Sequence, residues 1–287
     1  MTRVKDMELY SEEGIKYIRK KYGFHNTKSL GQNFLADKGV IDSIIEAASI
    51  DPEDLVIEIG PGLGVLTQRE AELAKKVYAI ELDRDLIPIL NDLLKSYDNV
   101  EIIHGDILKT DVKALIEGAG CEKTRIVGNL PYYITTPIIM QLLEKKVGAE
   151  SITIMLQKEV AERITAEPGG RTYGALSVAV QYYAEVVTVA QAPSHMFVPA
   201  PKVDSTVLRL DIRKNPAVEV KDEEFFFKVV KAAFGQRRKT LINSISGGGF
   251  NKDKVKEVFE KIGMEGNRRA ETLSLEEFAD LADGLME

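Results

Sequence analysis

A short apolar run, Leu55-Val56-Ile57-Glu58-Ile59, ends in Gly60, Gly62 and Gly64 and passes into a helix that begins near Leu66. Branched residues bounded by glycine read as a buried strand. Glycines directly after it permit positive φ and let a ligand approach the backbone closely. The following helix start adds unpaired N–H groups. This strand–loop–helix unit commits the chain to a parallel sheet whose carboxyl edge receives a ligand. The spacing is Glu58-x-Gly60-x-Gly62-x-Gly64. It differs from the Gly-x-Gly-x-x-Gly of dinucleotide folds, which reserves the helix N-terminus for pyrophosphate. The present spacing suits a ligand without phosphate.

Three more strand exits carry polar residues. Residues 76–81 form a strand ending at Glu81, about 20 residues after the glycine loop, where doubly wound folds place an acid on a ribose diol. Residues 99–104 form another, with Asp106 at its exit, suited to an adenine amino group. The strand at 125–128 runs into Asn129-Leu130-Pro131-Tyr132. An amine conjugated into a ring is a poor nucleophile. It needs acceptors for its protons and an aromatic face for its base. Asn129 supplies a side-chain carbonyl, Leu130-Pro131 a restrained backbone carbonyl, and Tyr132 a stacking plane. Glycine loop, Glu81, Asp106 and Asn129 all fall on one edge of one sheet.

With those motifs the chain resembles the S-adenosylmethionine-dependent ribosomal RNA adenine N6-dimethyltransferase family, in its bacterial small-subunit branch. The likeness runs from about residue 27 to the C-terminus. It includes Leu-Gly-Gln-Asn-Phe-Leu at 30–35, Leu-Gln-Lys-Glu-Val-Ala-Glu-Arg at 156–163 and Tyr-Gly-Ala-Leu-Ser at 173–177. Further blocks are Phe-Val-Pro-Ala-Pro-Lys-Val-Asp-Ser at 197–205, Phe-Gly-Gln-Arg-Arg-Lys-Thr-Leu at 234–241 and Glu-Thr-Leu-Ser-Leu-Glu-Glu-Phe at 271–278. One departure is Gly235, where small-subunit members often carry Ser. The resemblance implies an α/β fold, a Rossmann-like methyltransferase sheet with a small C-terminal all-helical domain. It implies that Gln32, Asn33 and Leu35 close over S-adenosylmethionine, which leaves as S-adenosylhomocysteine. Gly60 and Gly62 would approach its methionine portion, Glu81 with Leu82 the ribose, and Asp106 with Ile107 the adenine. Asn129, Leu130, Pro131 and Tyr132 would hold the target amine, and Tyr132 and Phe197 would sandwich the target base. No metal is implied. The substrate would be two adjacent adenines in the 3′-terminal hairpin loop of small-subunit rRNA within an immature small subunit. The rivals are a large-subunit methyltransferase of the macrolide-resistance type and an assembly factor with secondary methylation. Glycine spacing disfavours an NAD-dependent enzyme.

The chain has 287 residues, enough for a large domain and a smaller one. Its single cysteine, Cys121, excludes an internal disulfide framework and fits a reducing compartment. Neither a signal peptide nor a membrane span is expected, so the protein is placed in the cytoplasm, as a monomer. Net charge of −7 is unusual for a nucleic-acid binder. Its distribution answers the objection. Residues 225–245 hold Lys228, Lys231, Arg237, Arg238 and Lys239 and no acid. Arg237, Arg238, Lys239 and Arg268 are the candidate RNA contacts. Lys16, Arg19, Lys20, Lys21 and Lys28 form a second cluster.

Residues 1–26 read as an N-terminal extension with an amphipathic helix at 11–21, capped by Ser11. Residues 27–213 read as the methyltransferase domain, with strand and helix alternating to about residue 160. A helix is expected at 39–49, another at 137–145, a strand at 151–156, a β-branched strand at 178–190 and a last strand at 205–212. Residues 214–216 read as a linker. Residues 217–287 read as a helical RNA-binding domain, with helices at 223–234, 238–244, 253–262 and 274–285. The last opens on a capping box, Ser274 to Glu277. Phe225, Phe226 and Phe227 are expected in its core.

Overall fold

The computed structural model describes residues 9–27 and 30–287, divided into two compact units. Unit 1 comprises residues up to Ala161 together with Val186–Ile212. In chain order it holds α1 (Glu12–Tyr22), β1 (Phe34–Leu35), α2 (Lys38–Ala48), β2 (Leu55–Ile59), α3 (Val65–Ala71), β3 (Lys76–Glu81), α4 (Ile87–Leu93) and β4 (Val100–His104). It continues with α5 (Val112–Ala119), β5 (Thr124–Asn129), α6 (Thr135–Glu144) and β6 (Ser151–Gln157). The chain then passes through α7 (Lys158–Ile164) and α8 (Ala175–Tyr183) and returns along β7 (Ala184–Ala192), β8 (Phe197–Val198) and β9 (Ser205–Ile212).

Seven strands make one sheet in the order β4-β3-β2-β5-β6-β9-β7. The pairs from β4 through β6 are parallel and β9 runs antiparallel to β6. Central strand β2 is buried at every position, because helices cover both faces of a parallel sheet. Chain direction reverses between β2 and β5, so their exits diverge and open a crevice there. The two strands approach closely: a Cβ on Gly128 would lie 2.8 Å from the Ile59 carbonyl oxygen. Only glycine fits at that point. β1 and β8 form a separate antiparallel pair, with Leu35 opposite Phe197.

The N-terminal segment is part of unit 1, and not an appendage to it. Ser11 caps α1 by accepting from Gly14 N at 3.0 Å. Leu9, Ile15, Ile18 and Phe24 are buried with Phe34, Leu63, Leu86 and Leu90. An amphipathic helix gains its stability by burying its apolar stripe, and here the stripe lies on the same cluster as the glycine loop.

Unit 2 comprises Glu162–Glu185 and Arg213–Glu287. It adds α9 (Glu223–Phe234), α10 (Leu241–Gly247), α11 (Lys252–Lys261) and α12 (Leu275–Met286). Two expectations change here. The strand expected at 178–190 is a helix to Tyr183 and a strand only from Ala184. The segment 162–185 also joins the helical unit, not the sheet. Tertiary packing outweighs the β preference of its valines. Tyr182 stacks on Phe226 at 5.2 Å and Tyr183 on Phe227 at 5.6 Å. Tyr183 Oη donates to Glu223 at 2.8 Å. The capping box on α12 forms as its residues require, Ser274 N donating to Glu277 Oε2 at 2.9 Å.

Ile15→Ala removes a fully buried side chain and should destabilise unit 1 by about 2–5 kcal/mol. Urea unfolding of the full chain checks this. An unchanged midpoint would return residues 9–26 to the status of an appendage.

Candidate functional site

Four loops line one cavity at the β2–β5 reversal. The first follows β2. Gly60, Gly62 and Gly64 have φ of 72°, 58° and 76°, the left-handed region that favours glycine. A Cβ on Gly62 would also press to 3.2 Å from the Phe34 ring.

The second loop follows β3. Glu81 is buried and its two oxygens hold the site together. Oε1 accepts from Asp83 N at 2.8 Å and Oε2 from Gly62 N at 3.3 Å. Burial pushes the Glu81 carboxyl up to about 7 despite those two N–H groups. Leu82 beside it is 42% exposed and lines the cavity. The third loop follows β4 and carries Asp106, whose Oδ1 accepts from Leu108 N at 3.0 Å, and the buried Ile107.

The fourth loop follows β5. The Asn129 side-chain NH2 donates to the Asn33 carbonyl at 3.3 Å. That contact turns the Asn129 carbonyl oxygen into the remaining acceptor. Pro131 O is taken by Ile134 N at 3.2 Å and Thr135 Oγ1 at 3.0 Å. The Leu130 carbonyl has no donor among the described residues. Two acceptors thus stand side by side at a strand exit. Tyr132 lines the wall, its hydroxyl fixed to Ser205 Oγ at 2.7 Å. Burial raises the Tyr132 phenol above its ordinary value, so it stays neutral.

The segment before β1 closes the cavity. Gln32 Nε2 donates to Asp83 Oδ2 at 2.6 Å and Gln32 Oε1 accepts from Thr27 N at 2.8 Å. Its amide therefore staples this segment to the β3 exit. Asn33 and Leu35 line the cavity with it.

The ribosomal RNA adenine dimethylase model matches residues 23–286. The chain belongs to that family. Within it, a Bacillus licheniformis protein named ribosomal RNA small subunit methyltransferase A is 51% identical over 278 residues, 95% of each chain. A Clostridioides difficile protein of the same name is 50% identical over 96% of each. Among solved structures, a dimethyladenosine transferase from Plasmodium falciparum aligns with a TM-score of 0.74 and 28% identity, covering 86% of this chain and 95% of that one. The 23S rRNA methyltransferase ErmE aligns at 0.70 and 29%, covering 89% and 100%.

The dimethylase site gathers every expected donor-binding residue, but two other expectations fail. Phe197 does not line the cavity. It is 3% exposed, held opposite Leu35 in the β1–β8 pair and packed in the main apolar cluster of unit 1. The exposed ring at the mouth is instead Tyr133, 55% exposed and directly after the motif. Its neighbour Tyr132 drew attention because the motif names it, while only the fold shows which ring faces out.

Arg268 is the second correction. Its guanidinium grips Glu277 with both nitrogens, Nη2 at 2.8 Å, and donates to the Thr272 carbonyl at 2.6 Å. A fork so occupied holds the start of α12 in unit 2 and is not free for phosphate. Arg237, Arg238 and Lys239 are exposed on the turn between α9 and α10. Of the N-terminal cluster, Lys16 pairs with Glu12 at 2.5 Å and Lys21 with Asp92 at 3.3 Å. Lys28 lies outside the described residues. Sequence reasoning also passed over Glu70, a fully buried acid on α3. Its only signal is an acid among the helix's buried positions.

Glu81 favours its neutral form in the folded chain, about 7 against 4.5. The unfolded chain loses that proton first, so folding is favoured fully below pH 4.5 and less as pH rises to 7. Glu81→Gln should therefore stabilise the ligand-free protein at pH 8 by on the order of 3 kcal/mol and leave it unchanged at pH 4. Denaturant titrations at the two pH values test this, and equal shifts at both would contradict it.

Proposed function

We propose that this protein transfers methyl groups from S-adenosylmethionine to the N6 amine of adenine in small-subunit ribosomal RNA, two to each adenine. The observation that carries this reading is the pair of acceptors, the Asn129 side-chain carbonyl and the Leu130 carbonyl, beside a cavity built for a nucleoside. When bound, the donor supplies a methyl already activated on a sulfonium sulfur.

The donor fits the residues present. Glu81 has lone pairs beyond the two N–H contacts and sits where ribose hydroxyls would donate. Leu82, Asp106 and Ile107 frame an adenine, and Gly60 and Gly62 leave room for the amino-acid portion. Gln32, Asn33 and Leu35 shut this pocket from the N-terminal side. An expelled water no longer competes for the polar groups inside.

At the other end, the two carbonyl acceptors take the two hydrogens of the target amine. This localises the nitrogen lone pair, which is otherwise conjugated into the ring, and favours the tetrahedral geometry of the transition state. Tyr132 stacks on the base. Aligning nitrogen with the S–CH3 bond contributes on the order of 7–11 kcal/mol. The methylated nitrogen then carries the positive charge and releases a proton to water, so no strong base is needed. A paired adenine cannot reach a sheet edge and must be unpaired or flipped. Tyr133 offers that strand a second aromatic face, each stacked base contributing roughly 1–3 kcal/mol.

Identity of 50–51% with relatives named for the small subunit supports that substrate over the large subunit. The adjacent adenines of the 3′-terminal hairpin in an immature subunit are the finer target, met by a monomer in the cytoplasm. Arg237, Arg238 and Lys239 supply phosphate contacts. The N-terminal basic residues left free of acids add to them.

Mass spectrometry of rRNA tests the reading after incubation with S-adenosylmethionine and unmethylated small subunits, and separately with large-subunit rRNA. Dimethyladenine in the small-subunit 3′ hairpin is expected. Its appearance only in large-subunit rRNA would overturn the substrate. Asn129→Ala should lower turnover at least about 100-fold with donor affinity nearly unchanged; equal losses would remove Asn129 from the chemistry. Arg237→Ala with Arg238→Ala should weaken rRNA binding and flatten its dependence on log salt by about two phosphate contacts. An unaltered slope would leave the turn a solvated surface.

A further inference from the structure

Behind the cavity wall lies an acid that the mechanism above does not use. Glu58, on β2, faces the cavity and is 1% exposed. It accepts a hydrogen bond from Thr67 Oγ1. Its strand neighbours are Ala79 on β3 and Val127 on β5, neither charged. Glu70, on α3, is fully buried and does not line the cavity. Its carboxyl hydrogen-bonds that of Glu58, while neither Glu70 oxygen finds a donor among the described residues. Two carboxyl groups in such contact cannot both be ionised; one carries the proton that makes the bond.

No cation neutralises the pair. Arg69 of α3 turns to Asp42 of α2, which also holds Lys38. The remaining charged group acting on Glu58 is Glu81 of β3, another acid. Surroundings decide which partner keeps the proton. Glu58 has the Thr67 hydroxyl to stabilise its anion and a wall position on the cavity. Glu70 has neither, and burial holds its carboxyl well above the ordinary carboxylate range. The proton therefore sits on Glu70 and the charge on Glu58.

We propose that Glu70 is a positioning residue for donor binding: it donates the proton that keeps Glu58 anionic on the cavity wall, and that anion receives the cationic amino-acid portion of the donor. The inference rests on the donor-site reading and is independent of the RNA target. Burial already pushes Glu58 up to about 7. Without the Glu70 proton it is neutral over a wider range, and the wall loses its charge. A carboxamide can replace that donated hydrogen bond, while an alkyl group cannot.

Calorimetry on the full chain tests this, with wild type, Glu70→Leu and Glu70→Gln from pH 6 to pH 9. The ligands are S-adenosylmethionine and methylthioadenosine, which keeps the nucleoside but has neither ammonium nor sulfonium. Wild-type affinity for S-adenosylmethionine should tighten as pH rises through 7 and then level. In Glu70→Leu the curve should move up by about one pH unit, a loss of about tenfold at pH 7. Glu70→Gln should keep the wild-type curve, and methylthioadenosine should bind all three proteins alike. Glu81 titrates in the same cavity but contributes equally to all three, so the comparison isolates Glu70.

A wild-type curve in Glu70→Leu overturns the proposal. Equal loss of methylthioadenosine binding, or failure of Glu70→Gln to restore the curve, overturns it too, since either marks a packing role. If Glu70→Leu does not fold, the wild type decides. Donor binding at pH 7 should release protons, seen as a binding heat that changes with buffer ionisation enthalpy, and no release refutes the idea. Failure of the wild type to bind either ligand would instead overturn the donor site itself.

Discussion

Everything in the catalytic unit depends on how closely β2 and β5 approach. Gly128 lies so near the Ile59 carbonyl that no Cβ can be accommodated, and the strands leave that point in opposite directions. The crevice that results is where the glycine loop, the Glu81 loop and the Asn129 loop meet. Its polar groups then bind one another. Glu81 holds Gly62 and Asp83, Asp83 receives Gln32, and Asn33 receives Asn129. The ring of contacts fixes side chains before any ligand arrives, which is what precise placement of a weak nucleophile requires.

Much of that ring was legible in the residues. A glycine run after a Val/Ile strand, and polar residues at the exits of the next strands, have few uses other than a ligand edge. The motif residues could be placed because each lies within a few positions of a strand end, where backbone direction fixes side-chain location. Where the reading failed, distant packing decided. Phe197 sits in a loop stiffened by proline, and nothing local says that its ring turns to Leu35. Arg268 looks like a free cation until Glu277, nine residues on, claims it. Val178 to Tyr183 is β-branched and aromatic by composition, yet those rings are what α9 needs to cover its own phenylalanines.

The charge pattern follows the same division. A chain with net charge −7 can still meet RNA if its cations are left unpaired where contact occurs. The turn between α9 and α10 is exposed and holds three of them. Most other surface cations are balanced locally, as at Lys16, Lys38, Lys75 and Lys95. Such exposed pairs add little to stability. Their effect is to withdraw charge from surfaces that do not need it.

The helical unit is discontinuous in sequence. Its segment Glu162–Glu185 arrives between β6 and β7, long before the C-terminal helices. Cutting the chain at residue 213 therefore yields no clean catalytic fragment. It leaves α8 behind with Tyr182 and Tyr183 stripped of their phenylalanine partners, an aromatic surface prone to self-association. Domain exchange between relatives meets the same obstacle: a graft must carry two separate stretches of chain, so the pair of units is inherited as one piece and not as interchangeable parts.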